Sequence, residues 1–553
     1  MRNLATIFLV LCCAIANAQQ SYFEMPLGAK EKVLTSLTTP DHHYYVTLGL
    51  KDKYNASGYD VNKGVTIVHF DQDMKMLAKV KTKPLKNGKL GFSILSMIAL
   101  GDTIAFVGSS VDYNLSTESI GLIVVDKKTL TPGKKVTEIN SHKVRLLFGM
   151  PNKPKVSFKQ NTEGGPAAFK IEFTEEKETG PGRSLLTSAY DFVMVRQNLR
   201  VTEILFLSSR DDRKDYDVND YYLARNGDLY IHVDHSKQME PGDGERWWES
   251  EEYKVQVGNA PHFSTIYQYR GTNLVNETTF SFSNKQLWGL STRFYETSND
   301  IYIGGVAGNG LYNYKRILRH DTLNMSEDFE IFFASKLTGH KELVIPASSC
   351  FVIEGEIKKM LEEEQNLSAH DQEMGASAYS RLNSFHITAE GQFVYTGAKC
   401  VAHYYPLYES IKNDKRYTFI KDDNGKITHV EGPGDFFAMY YSLYSVKLNA
   451  DFTSPQVTFT EFYGREDRDF GSSASLMDHI YQCSSSSSAA SMYYCNPGSE
   501  GNVYYWNGEN EASTLNFHPK GQAYIQCPSS ANSSPARFTV VSEKSYWVVK
   551  GSE

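Results

Sequence analysis

Four times in this chain a turn built on glycine, asparagine or aspartate opens directly into an alternating strand that carries an aromatic residue. The copies are Asn226-Gly227-Asp228-Leu229-Tyr230-Ile231, Ser298-Asn299-Asp300-Ile301-Tyr302-Ile303, Glu390-Gly391-Gln392-Phe393-Val394-Tyr395 and Lys520-Gly521-Gln522-Ala523-Tyr524-Ile525. Leu100-Gly101-Asp102-Thr103-Ile104-Ala105 is a looser copy, and Asp41–Leu48 is one without its glycine. A turn this tight forces the two strands it joins to lie side by side and antiparallel. Asn226-Gly227 suits a two-residue type I′ turn. Further strands follow each hairpin, for example Gly64–Phe70, Ile120–Asp126, Phe263–Tyr269 and Tyr441–Leu448, then Leu77–Val80, Phe280–Phe282 and Val457–Phe462. Seven modules emerge, near 31–82, 92–140, 144–209, 217–283, 286–334, 380–463 and 513–548. Repeated four-stranded meanders predict an all-β protein, a β-propeller of about seven four-stranded antiparallel blades, spanning 19–553. The competing architectures are a non-repetitive β-sandwich chain and several unrelated β domains.

Composition agrees with strands. The 553 residues include 35 Tyr and 30 Phe against 18 Pro, and 41% are hydrophobic with 22% charged, which excludes wholesale disorder. One short helix is expected at Glu354–Gln365, where Ile357, Met360 and Leu361 fall on one side. It lies in an expected insertion, 336–379, and a second insertion is expected at 469–511. Insertions of this size project from a rim, where function is commonly carried. The formal net charge of −8 argues against a protein that coats nucleic acid.

The chain opens with a leader. Met1-Arg2-Asn3 is positive, Leu4 to Ile15 is apolar or small apart from Thr6, and Ala16-Asn17-Ala18 supplies a small-x-small cleavage pattern before Gln19. Twelve helical residues cover about 18 Å, short of a roughly 30 Å hydrocarbon core. Residues 1–18 therefore read as a signal peptide, and the mature chain as secreted or periplasmic with no transmembrane segment. Five cysteines remain after its loss: Cys350, Cys400, Cys483, Cys495 and Cys527. Cys483 and Cys495 flank the serine-rich Ser484–Ser488 and are the expected disulfide.

The Gly-Asp-x-Tyr hairpins, the leader and the tyrosine-rich strands resemble secreted bacterial β-propeller proteins of uncharacterised function. Better-marked propeller families are not matched: there are no Trp-Asp repeat ends, no Asp-box, and only a single Gly304-Gly305 in place of a kelch series. The G-x-S-x-G elbow of an appended hydrolase domain is also missing. The resemblance therefore implies a fold and carries over no catalytic residue.

Polar residues concentrate around the Asn226-Gly227 hairpin. With a two-residue turn, Asp220 faces Val233 and Asn219 faces Asp234, and the far end of the hairpin gathers Asp215, Asp217, Asn219, Asp220, Asp234 and His235. Oxygen-rich groups suit calcium, and Asp215-x-Asp217-x-Asn219 opens like a calcium loop. The EF-hand pattern nonetheless fails, because Asp220 stands where glycine is needed and Asn226 where glutamate is needed. Solvated acids at a sheet edge are the plainer explanation.

The following loop, Ser236–Pro261, carries Trp247-Trp248 among charged residues. Flat indoles beside carboxylates form a workable sugar platform, although capping a blade edge is the commoner use of tryptophan. Ligand-binding candidates are thus Trp247, Trp248, Asp220, Asp234 and His235. Tyr504-Tyr505-Trp506 reads as core packing, and His232 as a hydrogen-bonded core or channel histidine. Asp41-His42-His43 is a poor metal site, because adjacent strand residues point oppositely. Three functions remain open: a binding or scaffold protein for a glycan, peptide or protein partner, a carbohydrate-active enzyme using Asp220 and Asp234 as acid and base, and an envelope-associated structural protein. Fold alone does not choose among them.

Overall fold

Uninterrupted apolar runs mark the strands buried on both faces. In Thr103–Asp112 every residue from Ile104 to Ser110 is buried, and in Tyr44–Leu50 every residue from Tyr44 to Gly49. The strands at blade edges differ: Met76–Lys81 has no buried residue. Burying one phenylalanine such as Phe106 contributes about 2–3 kcal/mol, so the sandwiched strands carry the stability and the edges carry solubility.

The computed structural model describes residues 21–52, 59–143, 146–147, 150–151, 155–161, 164–180, 183–208, 214–237, 263–282, 287–309, 329–346, 376–403, 415, 418–421, 427–431, 436–467, 482–484, 492–495, 503–506, 508, 513–515, 524–526, 537–542 and 544–550. Among them, strands pair into eight four-stranded antiparallel sheets and three two-stranded ribbons. The expected helix Glu354–Gln365 lies outside the described residues. Among the described residues the one helical element is a 3-10 turn, Val61–Lys63, and no helix is long and apolar enough to cross a membrane.

The sheets are propeller blades, each a meander whose first strand is innermost. The innermost strands are Glu31–Thr38, Ser93–Leu100, Lys155–Gln160, Lys214–Leu223, Leu287–Glu296, Ala376–Ile387, Gln482–Ser484 and Tyr524–Gln526, in blades 1 to 8. Successive blades share apolar layers. Leu37 and Ile67 of blade 1 pack with Phe106 of blade 2; Ile120 with Phe169 of blade 3; Phe192 with Ile231 of blade 4; Phe280 with Ile331 of blade 5; and Phe332 with Tyr395 of blade 6. Blade 6 meets blade 7 through its innermost strand and through a hydrogen bond from Thr458 Oγ1 to the Gly508 carbonyl. Val503 of blade 7 packs with Val540 of blade 8.

Both ends of the chain close the ring. Blade 8 takes its outermost strand, Ser21–Pro26, from the N-terminal region, in register from Ser21 opposite Lys550 to Pro26 opposite Ser545. Val548 of blade 8 then packs with Val46 of blade 1, and Tyr44 Oη lies 2.8 Å from Thr539 Oγ1.

The module boundaries shift in two places. The fifth blade runs on through Gly339–Pro346, so the stretch read as the 336–379 insertion begins with that blade's outer strand. The stretch read as the 469–511 insertion supplies three short strands of blade 7, Gln482–Ser484, Met492–Cys495 and Val503–Trp506, with Ser513–Thr514 as the fourth. Blade 7 is the addition that makes eight. Trp506 is buried there, as core packing requires. Gly304-Gly305 is a packing feature: a Cβ on Gly304 would collide with the Phe385 ring, and one on Gly305 with the ring of Phe333.

Candidate functional site

The hairpin of blade 4 turns differently from the two-residue expectation. Ala224 N donates to Asp228 O at 2.9 Å and Gly227 N to Ala224 O at 2.9 Å, so the loop is the three residues Arg225–Gly227 with Gly227 at φ 86°. This loop needs only one left-handed residue, where a type I′ turn would need two. The same closure recurs at Thr39–His43, Asp71–Lys75, Arg196–Arg200, Thr388–Gln392 and Asn449–Thr453. Its left-handed position is taken by His42, Met74, Leu199, Gly391 and Phe452 respectively, so the loop form tolerates residues other than glycine.

One loop residue more, and a β-bulge, reset the register. Tyr221 lies opposite Ile231 and Asp220 opposite His232, not Val233; Asn219 is the extra residue of the bulge, not the partner of Asp234; Val218 faces Val233 and Asp217 faces Asp234. A bulge bends its strand and re-aims the side chains beside it. Bulges also precede Thr35, Ser96 and Ser384 in blades 1, 2 and 6. Asp220, His232 and Asp234 consequently stand on one face of the sheet. His232 is buried with its Nδ1 3.3 Å from Thr292 Oγ1, and Asp234 Oδ1 accepts from Ser264 Oγ at 3.1 Å.

Asp220 is buried where blades meet near the axis. Its Oδ2 accepts from the Phe294 amide at 3.2 Å, and Lys159 Nζ lies 3.8 Å from its Oδ1. Arg293, next to Phe294 on the innermost strand of blade 5, donates from Nη1 to Thr292 O at 2.7 Å and from Nε to Asn383 O at 3.3 Å. Burial pushes the Arg293 guanidinium below its ordinary pKa; Asp220 opposes this and Arg381 adds to it. Asn219 buries its amide nitrogen without an acceptor among the described residues. Innermost strands of blades 3 to 6 thus bring together Lys159, Asp220, Arg293 and Arg381. Sequence reading missed three of the four, since each is an ordinary strand charge until the ring closes. Lys159 and Arg293 carry no local signal.

The other expected residues fall as follows. Asp215 is opposite Ser236 and His235 opposite Tyr216, while the side chains of Asp215, Asp217 and His235 lie outside the described residues, as do Trp247 and Trp248 altogether. Lys214 is opposite Lys237, so the connection that carries the two tryptophans leaves from the end where the innermost strand begins. Among the described residues no three His, Cys, Asp or Glu side chains are placed to hold a metal ion. Cys483 is opposite Tyr493 and Cys495 opposite Val503, on neighbouring strands and two residues out of direct opposition; their side chains are outside the described residues. In place of a metal site at Asp41-His42-His43, His43 Nδ1 meets His69 Nε2 at 2.7 Å and Tyr45 stacks on His69 at 4.4 Å. Burial, reinforced by His43, pushes His69 down to about 4.

No protein-family pattern matches the chain, and no curated protein does. Among solved structures, an α-L-arabinofuranosidase from Fusarium graminearum is 12% identical over 69% of this chain and 93% of that one, with a TM-score of 0.29. An α-L-arabinanase from Penicillium chrysogenum is 11% identical over 69% and 94%, with a TM-score of 0.30. A polysaccharide lyase is 9% identical over 96% and 99%, with a TM-score of 0.37. At such identities no residue role passes to this chain.

Proposed function

We propose that this protein is a secreted or periplasmic binding propeller that holds a glycan on the axis side of blades 3 to 6. The observation that carries the reading is the state of Asp220. Its carboxylate is engaged by a main-chain amide and faces two cations, a polar cluster at the meeting of the blades that offers a ligand both donors and an acceptor. Cleavage before Gln19 would leave the ring-closing strand Ser21–Pro26 whole. Trp247 and Trp248 belong to the same surface in this reading, because their connection leaves beside Lys214. The Cys483–Cys495 disulfide and a calcium ion at Asp215, Asp217 and Asn219 are part of the proposal.

Thermal unfolding with calcium, with chelator and against a polysaccharide panel tests it. A ligand at a hundred times its dissociation constant stabilises by about 2.7 kcal/mol, and the shift should vanish when Trp247→Ala and Trp248→Ala are combined. A panel with no shift at all would sink the glycan reading. Free-thiol counting on unreduced protein checks the disulfide. A second reading, a glycoside hydrolase or lyase, is favoured by Asp220 and Asp234 sharing a face. In that case Asp220→Asn or Asp234→Asn stops turnover and leaves binding intact.

A further inference from the structure

We infer that the axis-side surface of blades 3 to 6 binds an anionic group, a carboxylate or sulfate carried by its ligand. The inference rests on the reading that a ligand sits there and adds the ligand's chemistry. Lys159 and Arg293 come from the innermost strands of blades 3 and 5 and both face Asp220, and Arg381 on the innermost strand of blade 6 is a neighbouring charge of Arg293. The chain as a whole has the opposite sign, at −8, so the meeting of Lys159 and Arg293 at one carboxylate is a matter of placement and not of composition.

Arg293 sits at the centre of this cluster. Its two hydrogen bonds go to the neutral carbonyls of Thr292 and Asn383, and Asp220 acts on it as a neighbouring charge, not as a hydrogen-bonded partner. Desolvating a guanidinium without a bonded carboxylate is costly, and the neighbouring Arg381 adds repulsion. The carbonyls fix the plane of the guanidinium and leave its second terminal nitrogen without a partner among the described residues. An oxyanion there would gain a charge-assisted hydrogen bond from a donor already oriented. The contrast within the same region is Arg270 of blade 4, whose guanidinium is bonded to a carboxylate, Asp228, by two contacts of 2.9 Å.

Titration calorimetry of the purified protein with polygalacturonate, galacturonate monomer and a neutral galactan tests this. Polygalacturonate is expected to bind, with an affinity that falls as salt rises, and galactan to bind far more weakly. Arg293→Gln should lower the affinity about tenfold, Arg293→Lys should restore part of it, and Lys159→Gln should lower it a few-fold. Lys159 is 41% exposed at its side chain, so its variant keeps the test alive if Arg293→Gln does not fold. Monomer binding as tight as polymer would assign the site to a small anion and still support the inference. Equal binding of galactan and polygalacturonate, unchanged in both variants, overturns the anionic chemistry and leaves glycan binding standing. Binding of none of the three overturns both.

Discussion

The hairpin of blade 4 buries one aspartate beside its turn and another further back on the innermost strand, and the two are treated in opposite ways. Asp228 receives both Arg270 Nε and Nη2 at 2.9 Å, Gln268 Nε2 at 2.8 Å and Asn226 Nδ2 at 3.2 Å. Asp220 receives a single main-chain amide at 3.2 Å and a lysine at 3.8 Å, while the charge of Arg293 acts on it without a hydrogen bond. A carboxylate whose acceptor sites are filled by its own blade is a fastening. One shared loosely among neighbouring blades, beside a guanidinium bonded only to carbonyls, leaves capacity for something from outside. Completeness of hydrogen bonding, more than burial, separates the two.

The comparison is most directly broken by removing each acid. Asp228→Ala removes the acceptor shared by Arg270, Gln268 and Asn226, with the exposed Arg270 returning to water, and should cost about 2–3 kcal/mol in denaturant unfolding. The hydrogen bond from Arg270 holds the Asp228 carboxyl below the usual carboxylate range, with Gln268 and Asn226 helping against burial. A depressed folded value means that the contribution is complete above the unfolded pKa, near about 4, and is lost as pH falls through the folded value. Asp228→Asn should therefore flatten the acid limb of the stability curve.

A second fastening near a turn, His43 with His69 in blade 1, carries an expected effect of about 2 kcal/mol after allowance for partial solvent contact. His69 folds with its pKa pushed down to about 4, below the ordinary histidine value of roughly 6.5. The unfolded chain takes the proton first, so stability should fall as pH drops from about 6.5 to about 4 and level off below. His69→Gln should abolish that slope in a pH series of thermal melts. The smallest effect belongs to the axis: Asp220→Asn should cost about 1 kcal/mol and Lys159→Gln less than about 0.5 kcal/mol. If Asp220→Asn proves as costly as Asp228→Ala, the axis cluster is a fastening too, and the contrast collapses.

Much of the fold is legible in particular residues. The module expected at 31–82 is the blade from Glu31 to Lys81, and the one at 217–283 is the blade from Lys214 to Ser281. Both are bounded by turns whose chemistry is local. Blade 7 escaped because its strands are two to four residues long, too short for alternation to show among serines and tyrosines. The register of blade 4 escaped because Asn-Gly is compatible with both a two-residue and a three-residue loop. Burial of Asp228 against Arg270 and Gln268 accompanies the longer one. The bulge at Asn219 has no mark of its own, since an asparagine in a strand is ordinary until the neighbouring blade asks for Asp220 at the Phe294 amide.

By itself the sequence determines that this chain folds as repeated antiparallel meanders, because alternation, turn residues and aromatic strands act over a few residues at a time. Tertiary structure alone decides which charges meet. Lys159 meets Asp220 of the next blade across about sixty residues of chain, and Ser21 pairs with Lys550. Neither proximity is encoded in any window of sequence. Both arise when eight sheets pack face to face and the ring has one way to close.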